Sequence, residues 1–278
     1  MESWRAILDQ FPDPLEAPVG SGAGPLNLDP PPRVVLFDVY GTLVHTLAGD
    51  LDQQARERGA LESFVITARR FGFSEDTGKL WQRRFFERIR EEHRFCAEQG
   101  IARAEVLVDH IWRDLILDSG GDPRRTPPRD VCIHRELAAN PVAAYEGAAE
   151  AVRGLKEAGC QVGLVSNAQF YTLPIIGRRL GIRAEELFDP RWTFLSYRLG
   201  FAKPDAHFFR LVRTTALRAG IAPGDVLVVG NDPVNDIMAA RLHGLRAVLF
   251  NPAVSSPAGP AGDEEPCLRD HRSLLPAG

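Results

Sequence analysis

The hydrophobic pattern divides the chain into two kinds of segment. Continuous apolar runs of at least four residues occur at 34–37, 162–165, 226–229 and 247–250. Such runs are typical of parallel strands that are buried on both faces. Apolar residues at helical spacing separate the last three runs, so the pattern predicts strands that alternate with helices. This alternation predicts an α/β fold with a doubly wound parallel sheet and right-handed crossovers.

Residues 44–140 follow a different pattern. No strand-like run occurs there, and apolar residues instead recur at helical spacing in three stripes that glycines separate. The stripes comprise Leu61, Phe64, Val65, Ala68 and Phe71, then Leu80, Trp81, Phe85 and Ile89, and then Val106, Val108, Ile111, Trp112, Leu115 and Ile116. The pattern therefore predicts a helical insertion, most simply a small bundle, directly after the first strand.

The two ends of the chain lack this regularity. Residues 1–32 contain one short amphipathic segment and then a stretch rich in proline and glycine, and residues 251–278 are rich in proline, alanine, glycine and serine. We expect a partly ordered N-terminal extension in the first range, or alternatively an arm that packs on the core or on a second subunit, and a mobile tail in the second range. The predicted core is then 33–43 together with 141–250, and the helical insertion is 44–140.

Composition excludes some classes of protein. The formal net charge of −4 gives no basic surface for a nucleic acid. No apolar run approaches the roughly 20 residues that a membrane span needs, and the first residues lack the apolar core of a signal peptide, so we expect a cytoplasmic protein. The four cysteines form no CxxC pair and lie near no histidine at zinc spacing, which favours reduced thiols. They are Cys96, Cys132, Cys160 and Cys267.

Reactive side chains follow three of the predicted strands, and a loop adds one more. They are Asp38 and Thr42, then Ser166 and Asn167, then Lys203 in the loop, and then Asp232 and Asp236. The carboxyl ends of parallel strands meet at one edge of a sheet, where ligands bind in open α/β folds. Each residue alone has an ordinary interpretation as a turn or a helix cap. Together they predict a crevice that holds a nucleophile, hydroxyl donors, an amine and paired carboxylates.

The order of these residues resembles the four motifs of the haloacid dehalogenase superfamily of hydrolases. Asp38-Val39-Tyr40-Gly41-Thr42-Leu43 is similar to the first motif, and Ser166 corresponds to the second. Lys203 in Gly200-Phe201-Ala202-Lys203-Pro204-Asp205 is similar to the third, and Gly230-Asn231-Asp232-Pro233-Val234-Asn235-Asp236 to the fourth. The insertion after the first motif is similar to the small α-helical cap of the family. The resemblance implies a Rossmann-like core with an inserted helical cap.

The resemblance also implies a nucleophile and a metal site. Asp38 would attack the substrate and form a covalent aspartyl intermediate. The Asp38 carboxylate, the backbone carbonyl of Tyr40 and the Asp232 carboxylate would hold Mg²⁺, a cation that prefers oxygen ligands. Asp236 would orient Lys203 or a metal-bound water, although an acid at this position is also favoured simply by a helix N-terminus.

The remaining matched residues would contact the transferring group. Thr42 and Ser166 would donate hydrogen bonds to it, and Asn167 is a further candidate for substrate binding. Lys203 would offset the negative charge that develops in the transition state. The predicted substrate is therefore a small, anionic molecule.

One position departs from the pattern of the phosphatases in this superfamily. These phosphatases usually carry a second aspartate two residues after the nucleophile, and this chain has Tyr40 there. A phenol, with a pKa near 10, is a poor general base at neutral pH. The Tyr-Gly-Thr sequence resembles instead the 2-haloacid dehalogenases of the superfamily, which need neither a metal nor a proton donor for the departing halide.

The fourth motif favours the phosphatases. The dehalogenase branch carries a small neutral residue where this chain has Asp232, whereas an aspartate suits a metal site. We therefore predict a hydrolase that acts through an aspartyl intermediate, a Mg²⁺-dependent phosphatase of a small phosphorylated metabolite, with Tyr40 as a candidate catalytic residue. Two alternatives stay open, a 2-haloacid dehalogenase and a weakly active or non-enzymatic binding module that retains the pocket.

Overall fold

A computed structural model describes the greater part of the chain, and it divides the chain into two compact units. The structure describes residues 3–9, 11, 26, 28–46, 53–252 and 267–275, and for residues 3 and 53–59 it describes the backbone alone. The first unit contains Met1–Pro14 and Thr46–Val142. The second unit contains Leu15–His45 and Ala143–Gly278.

The first unit is helical. Its helices are α1 (Ser3–Leu8), α2 (Gln53–Arg70), α3 (Glu75–Glu98), α4 (Val108–Asp118) and α5 (Pro128–Ala139). Aromatic side chains form its core, where Phe64 stacks on Trp112 at 5.4 Å between ring centroids and Trp81 meets Trp112 edge-on at 5.3 Å. The predicted helical insertion is confirmed. None of the described helices has both the length and the hydropathy to cross a membrane.

Helix α1 differs from the predicted N-terminal extension because it is part of the first unit. Trp4, Ile7 and Leu8 are buried, and α1 packs against α5. Phe11 continues this contact, with its ring 5.3 Å from the ring of His134. The sequence of such a short amphipathic segment does not indicate which element it packs against, here α5. Residues 12–25 of the predicted extension lie outside the described part of the chain.

A six-stranded parallel sheet forms the second unit. Its strands are β1 (Val34–Phe37), β4 (Gln161–Ser166), β5 (Thr193–Leu195), β6 (Val226–Gly230), β7 (Arg246–Phe250) and β8 (Cys267–Leu268), in the order β5-β4-β1-β6-β7-β8. Strand β1 lies between β4 and β6, with Val34 opposite both Gln161 and Val226. All four residues of β1 are buried, as expected of a central strand. The predicted doubly wound parallel sheet is confirmed.

Helices connect the strands of this sheet. They are α6 (Ala148–Glu157), α7 (Thr172–Arg179), α8 (Ala184–Leu187), α9 (Ser196–Leu199), α10 (Ala206–Arg218) and α11 (Ala239–Arg241), with a π-helical turn at Pro233–Met238 before α11. Two further short strands, β2 (Val44–Thr46) and β3 (Val142–Ala144), pair with each other in a separate sheet. The chain therefore leaves the second unit on β2 and returns to it on the neighbouring strand β3.

The prediction of a mobile tail over residues 251–278 is wrong for residues 267–275. Strand β8 pairs in parallel with β7, and a 3₁₀ turn at His271–Leu274 packs on α6. Leu268 and Leu274 are buried. A two-residue strand is too short to show a pattern in the sequence. Residues 253–266 and 276–278 lie outside the described part of the chain.

Candidate active site

Lys203 lies at the centre of a buried charge cluster at the carboxyl edge of the sheet. Its Nζ donates to Asp38 Oδ1 at 2.8 Å, to Asp236 Oδ1 at 2.5 Å and to the carbonyl oxygen of Val165 at 2.9 Å. Burial alone lowers the pKa of this ammonium, but attraction to Asp38 and Asp236 outweighs burial and raises the pKa above its ordinary value. Lys203 is therefore a fixed cation that three acceptors hold in place.

Asp236 shares this ammonium with Asp38. Its second oxygen, Oδ2, accepts a hydrogen bond from the backbone N–H of Asp232 at 3.0 Å. Burial, together with the nearby charge of Asp38, raises the pKa of Asp236 above its ordinary value. When both carboxylates are ionised, the cluster of Asp38, Lys203 and Asp236 carries one negative charge in excess.

The side chain of Asp236 occupies the space beside Gly230 that a Cβ atom would fill. A Cβ atom at position 230 would lie 2.3 Å from Asp236 Oδ2, which is closer than real Cβ atoms come to any neighbour. The last residue of β6 must therefore be glycine for the carboxylate of Asp236 to reach Lys203. This glycine has a packing reason in addition to any role in a turn.

A tight turn carries the hydroxyl of Thr42 back towards Asp38. The carbonyl oxygen of Val39 accepts hydrogen bonds from the backbone N–H groups of Thr42, Leu43 and Val44 at 3.3, 2.9 and 3.0 Å. Thr42 Oγ1 lies 3.5 Å from Asp38 Oδ2, a long contact. The turn thus places a hydroxyl donor beside the carboxylate that β1 delivers.

Asn231 faces this turn and is a site residue that the sequence analysis missed. Thr42 Oγ1 lies 3.4 Å from Asn231 Oδ1. Gly41 has a φ of +85°, and a Cβ on it would lie 2.3 Å from Asn231 Nδ2. Asn231 is the first residue after β6, as Asp38 is after β1. That equivalent position was the signal in the sequence that could have identified it.

Asp232 caps the helical turn that follows it. Its Oδ1 accepts from the backbone N–H groups of Val234 and Asn235, both at 2.8 Å, and its Oδ2 accepts from Asn235 Nδ2 at 2.7 Å. Partial burial raises the pKa of this carboxyl, but these hydrogen bonds outweigh burial and lower the pKa below its ordinary value. The carboxylate is ionised, and three donors of its own turn orient it.

Tyr40 directs its phenol to the start of α7. The phenol oxygen lies 3.1 Å from Thr172 Oγ1, and Thr172 Oγ1 also accepts from the backbone N–H of Gln169 at 3.0 Å. The side chain is half-buried. The phosphatases that the first motif resembles usually carry an aspartate at this position. This chain has instead a phenol that contacts Thr172 at the start of α7.

Ser166 ends β4, and Asn167, the residue after it, contacts the backbone of Lys203. Ser166 is fully buried, and its Oγ lies 3.4 Å from the carbonyl oxygen of Asn167. Asn167 Nδ2 donates to the carbonyl oxygen of Lys203 at 3.2 Å, and Asn167 Oδ1 accepts from the backbone N–H of Lys203 at 2.7 Å. The predicted substrate contacts of Ser166 and Asn167 stay predictions.

The donor groups of this edge suit a hard cation. The described residues contain no cluster of three or more histidine, cysteine, aspartate or glutamate side chains that could hold a metal ion. The predicted magnesium set has only two carboxylates, Asp38 and Asp232, and the backbone carbonyl of Tyr40. Mg²⁺ is commonly held by one or two carboxylates and completes its octahedron with water and phosphate oxygens. All of these groups, and the amide oxygen of Asn231, are oxygen donors, so their chemistry fits Mg²⁺.

Comparison with known proteins identifies a family and one curated relative. The family model of the haloacid dehalogenase-like hydrolases matches residues 32–244. A phosphoserine phosphatase of Thermus thermophilus is 28% identical over 148 residues, which are 53% of this chain and 55% of that protein. The match therefore spans about half the length of this curated relative.

Many solved structures match the chain, among them a 2-haloacid dehalogenase and a HAD phosphatase. The 2-haloacid dehalogenase of Pseudomonas syringae pv. Tomato DC3000 has a TM-score of 0.52 at 20% identity, over 87% of this chain and 96% of that one. A HAD phosphatase of Thermococcus onnurineus has a TM-score of 0.49 at 18% identity, over 87% of this chain and 95% of that one. All the site residues described above lie within residues 32–244, and strand β8 lies beyond them.

Proposed function

The chain belongs to the haloacid dehalogenase-like hydrolases, and from that premise we propose that it is a Mg²⁺-dependent phosphatase of a small phosphorylated metabolite. The observation that carries the proposal is the buried cluster of Asp38, Lys203 and Asp236. It holds one carboxylate at a strand end, oriented by a fixed ammonium, as a covalent nucleophile requires.

Asp38 is the nucleophile of this proposal. Lys203 holds Oδ1, so Oδ2, which lies 3.5 Å from the Thr42 hydroxyl, is the attacking atom. A bond forms between Oδ2 and phosphorus while the bond from phosphorus to the alcohol oxygen breaks, and the leaving oxygen takes its proton from solvent water. Water then attacks phosphorus, the bond from phosphorus to Oδ2 breaks, and phosphate and a proton leave while the Asp38 carboxylate is restored. Lys203 and Thr42 face the negative charge that develops on the transferring group.

The charge of the site supports the need for a divalent cation. Asp38 and Asp236 exceed Lys203 by one negative charge, and hydrogen bonds keep Asp232 ionised as well. A phosphate monoester adds a charge of about −1.5 to −2 at neutral pH. Asp38, the carbonyl of Tyr40, Asp232 and the amide oxygen of Asn231 would hold Mg²⁺. When bound, the ion would offset the charge of the phosphate and of the carboxylates.

A second candidate function is the hydrolysis of a carbon–halogen bond in a 2-haloacid. Tyr40 favours it, because a halide leaves without the proton that an acid at this position would supply. Asn231 favours it too, because the side chain that faces Thr42 from the end of β6 is neutral. In this reaction Oδ2 of Asp38 would displace the halide from carbon, and no metal would be required.

One assay separates these functions. Purified protein with Mg²⁺ or with a chelator would receive an aryl phosphate, a panel of small phosphorylated metabolites that includes phosphoserine, and 2-chloropropionate. Phosphate and chloride would be measured. We expect phosphate release that needs Mg²⁺ and that Asp38→Asn abolishes. The matched control is Asp76→Asn, since that carboxylate is 91% exposed in the first unit and should be dispensable.

Other results of this assay would contradict the proposal and support a different function or site. Chloride release that the chelator does not affect would establish the dehalogenase. Full phosphatase activity in Asp38→Asn would show that the site is elsewhere. No turnover of either kind, together with a ligand that raises the melting temperature, would indicate a binding module.

Tyr40→Asp tests the substituted acid position directly. General acid–base catalysis contributes about 10² to 10⁴ in rate. If Tyr40 only replaces the acid of a phosphatase, the aspartate should raise the turnover of the aryl phosphate at least about tenfold. Tyr40→Phe is the control, because it keeps the ring and removes the contact with Thr172. No gain in Tyr40→Asp would indicate that the pocket is built for other chemistry.

A further inference from the structure

The side-chain amide of Asn167 pairs with the backbone of Lys203. Asn167 Oδ1 accepts from the Lys203 N–H at 2.7 Å, and Asn167 Nδ2 donates to the Lys203 carbonyl oxygen at 3.2 Å. The two residues are 36 positions apart in the chain. Backbone N–H and C=O groups in a loop need partners, and here one side chain satisfies both groups of one residue.

The same end of β4 also holds the other end of Lys203. The carbonyl oxygen of Val165 accepts from Lys203 Nζ at 2.9 Å. Lysine has a long flexible stem that loses considerable rotamer freedom when its ammonium is fixed. Anchoring both the backbone and the ammonium of Lys203 to one strand end reduces the number of positions that the ammonium can adopt.

We propose that Asn167 is a positioning residue, which sets the Lys203 ammonium between Asp38 and Asp236. The inference rests on the proposed role of Asp38 as the nucleophile. It departs from the substrate contact that the sequence predicts for Asn167, because both polar atoms of this amide are already engaged with the backbone of Lys203. Asn167 therefore acts on the reaction through Lys203.

Kinetics of three variants test this role. Asn167→Ala removes both hydrogen bonds, and a misplacement of a catalytic group by about 1 Å can cost about 10²-fold in rate. We expect kcat to fall about 10- to 100-fold, with KM within about twofold of the wild-type value. Asn167→Asp keeps the acceptor for the Lys203 N–H, so its kcat should lie between that of the wild type and that of Asn167→Ala. Asn140→Ala is the matched control, since that amide bonds Glu136 at the end of α5 and should change neither constant.

A second readout needs no turnover. The chain has three lysines, Lys79, Lys156 and Lys203. Lys203 is 5% exposed, whereas Lys156 is exposed and serves as an internal reference. Acetic anhydride labelling with peptide mass spectrometry should leave Lys203 protected in the wild type and acetylated in Asn167→Ala. Thermal unfolding would verify that each variant is folded, and Asn167→Asp decides the matter by the same two readouts if the alanine variant is not.

The outcomes separate this inference from the proposed function. A rise in KM at unchanged kcat, with Lys203 still protected, would overturn the positioning role in favour of a substrate contact. A fall in kcat with no change in labelling would also overturn it. Retention of activity by Asp38→Asn would refute the proposed function, and the labelling of Lys203 would still decide the role of Asn167.

Discussion

The two carboxylates of Asp38 and Asp236 depend on one ammonium. Removing one partner of a buried ion pair leaves an uncompensated charge and typically costs about 3–5 kcal/mol. We expect Lys203→Met to lower the free energy of unfolding by about this amount at neutral pH, measured by urea denaturation. Lys79→Met is the matched control, because Lys79 pairs with Glu75 and Asp76 on an exposed face and its loss should leave stability nearly unchanged.

A double variant tests the physical reason for this loss. Asp236→Asn removes one of the two charges that Lys203→Met leaves unpaired. The double variant should therefore be more stable than the sum of the two single effects predicts, because the residues share one network. Strict additivity, or an unchanged urea midpoint in Lys203→Met, would contradict the view that Lys203 neutralises these carboxylates.

Individual residues of the site could be predicted to different extents. The sequence was sufficient to place Asp38, Lys203 and Asp236 together, because parallel strands deliver their carboxyl ends to one edge. It did not show the direction of the side chains after β6. An aspartate before a proline can serve a site or cap a helix, and both uses have the same sequence. Only the side-chain hydrogen bonds of the structure show that Asp232 caps its own turn, whatever its role in the site, and that Asn231 faces Thr42.

At the scale of elements, length decides which segments the sequence reveals. Strands β1, β4, β6 and β7 each have four or more residues and a strong apolar pattern. Strand β8 has two residues, and it pairs with β7, which ends 17 positions earlier in the chain at Phe250. The apolar contacts of β8 are with residues distant in the chain, so the local hydrophobic pattern does not predict this strand. The same holds for α1, whose six residues bury three apolar side chains against α5.

The C-terminal segment makes the stability of the fold depend on pH. His271 is 1% exposed and packs against the rings of Phe37, Tyr145 and Phe250. Burial lowers the pKa of His271 to about 4, from 6.5. Below about pH 6.5 the unfolded chain binds a proton that the folded chain does not bind, so stability falls as the pH falls towards 4. The loss amounts to at most about 3 kcal/mol.

Urea midpoints at pH 7.5 and pH 5 would measure this effect. His271→Phe keeps an aromatic ring and removes the titration, so its midpoint should fall less between the two values than the wild-type midpoint. Some dependence should remain, because burial also lowers the pKa of His134 in the first unit to about 4. His207→Phe is the control, since this ring is 69% exposed. An identical shift in the wild type and His271→Phe would contradict the assignment.

At the scale of the whole molecule, the chain is a parallel α/β core interrupted by a helical unit. The sequence predicts this arrangement because helical periodicity replaces strand-like runs directly after the first strand. All the site residues lie in the second unit, on residues 38–42, 165–167, 203 and 230–236. The second unit also has its own apolar core, in which the central strands β1 and β6 are fully buried.

This division predicts that the second unit folds without the first. Strands β2 and β3 are neighbours in their sheet, and neighbouring strands lie about 4.8 Å apart. Replacing residues 47–141 by a short glycine–serine linker should therefore close the chain with little strain. Residues 1–14 are removed as well, because the apolar face of α1 would lose its partner α5. We expect cooperative urea unfolding and a lower helix content by circular dichroism.

Labelling of Lys203 would show whether the site survives this deletion. If the second unit alone fixes the charge cluster, Lys203 should stay protected from acetic anhydride, as in the full chain. Removing residues 267–278 as well should abolish cooperative unfolding, since β7 loses its partner strand and the core loses Leu268, His271 and Leu274. Non-cooperative unfolding of the first deletion variant would show that the core depends on the helical unit. In that case the two units fold together, although every site residue lies on one of them.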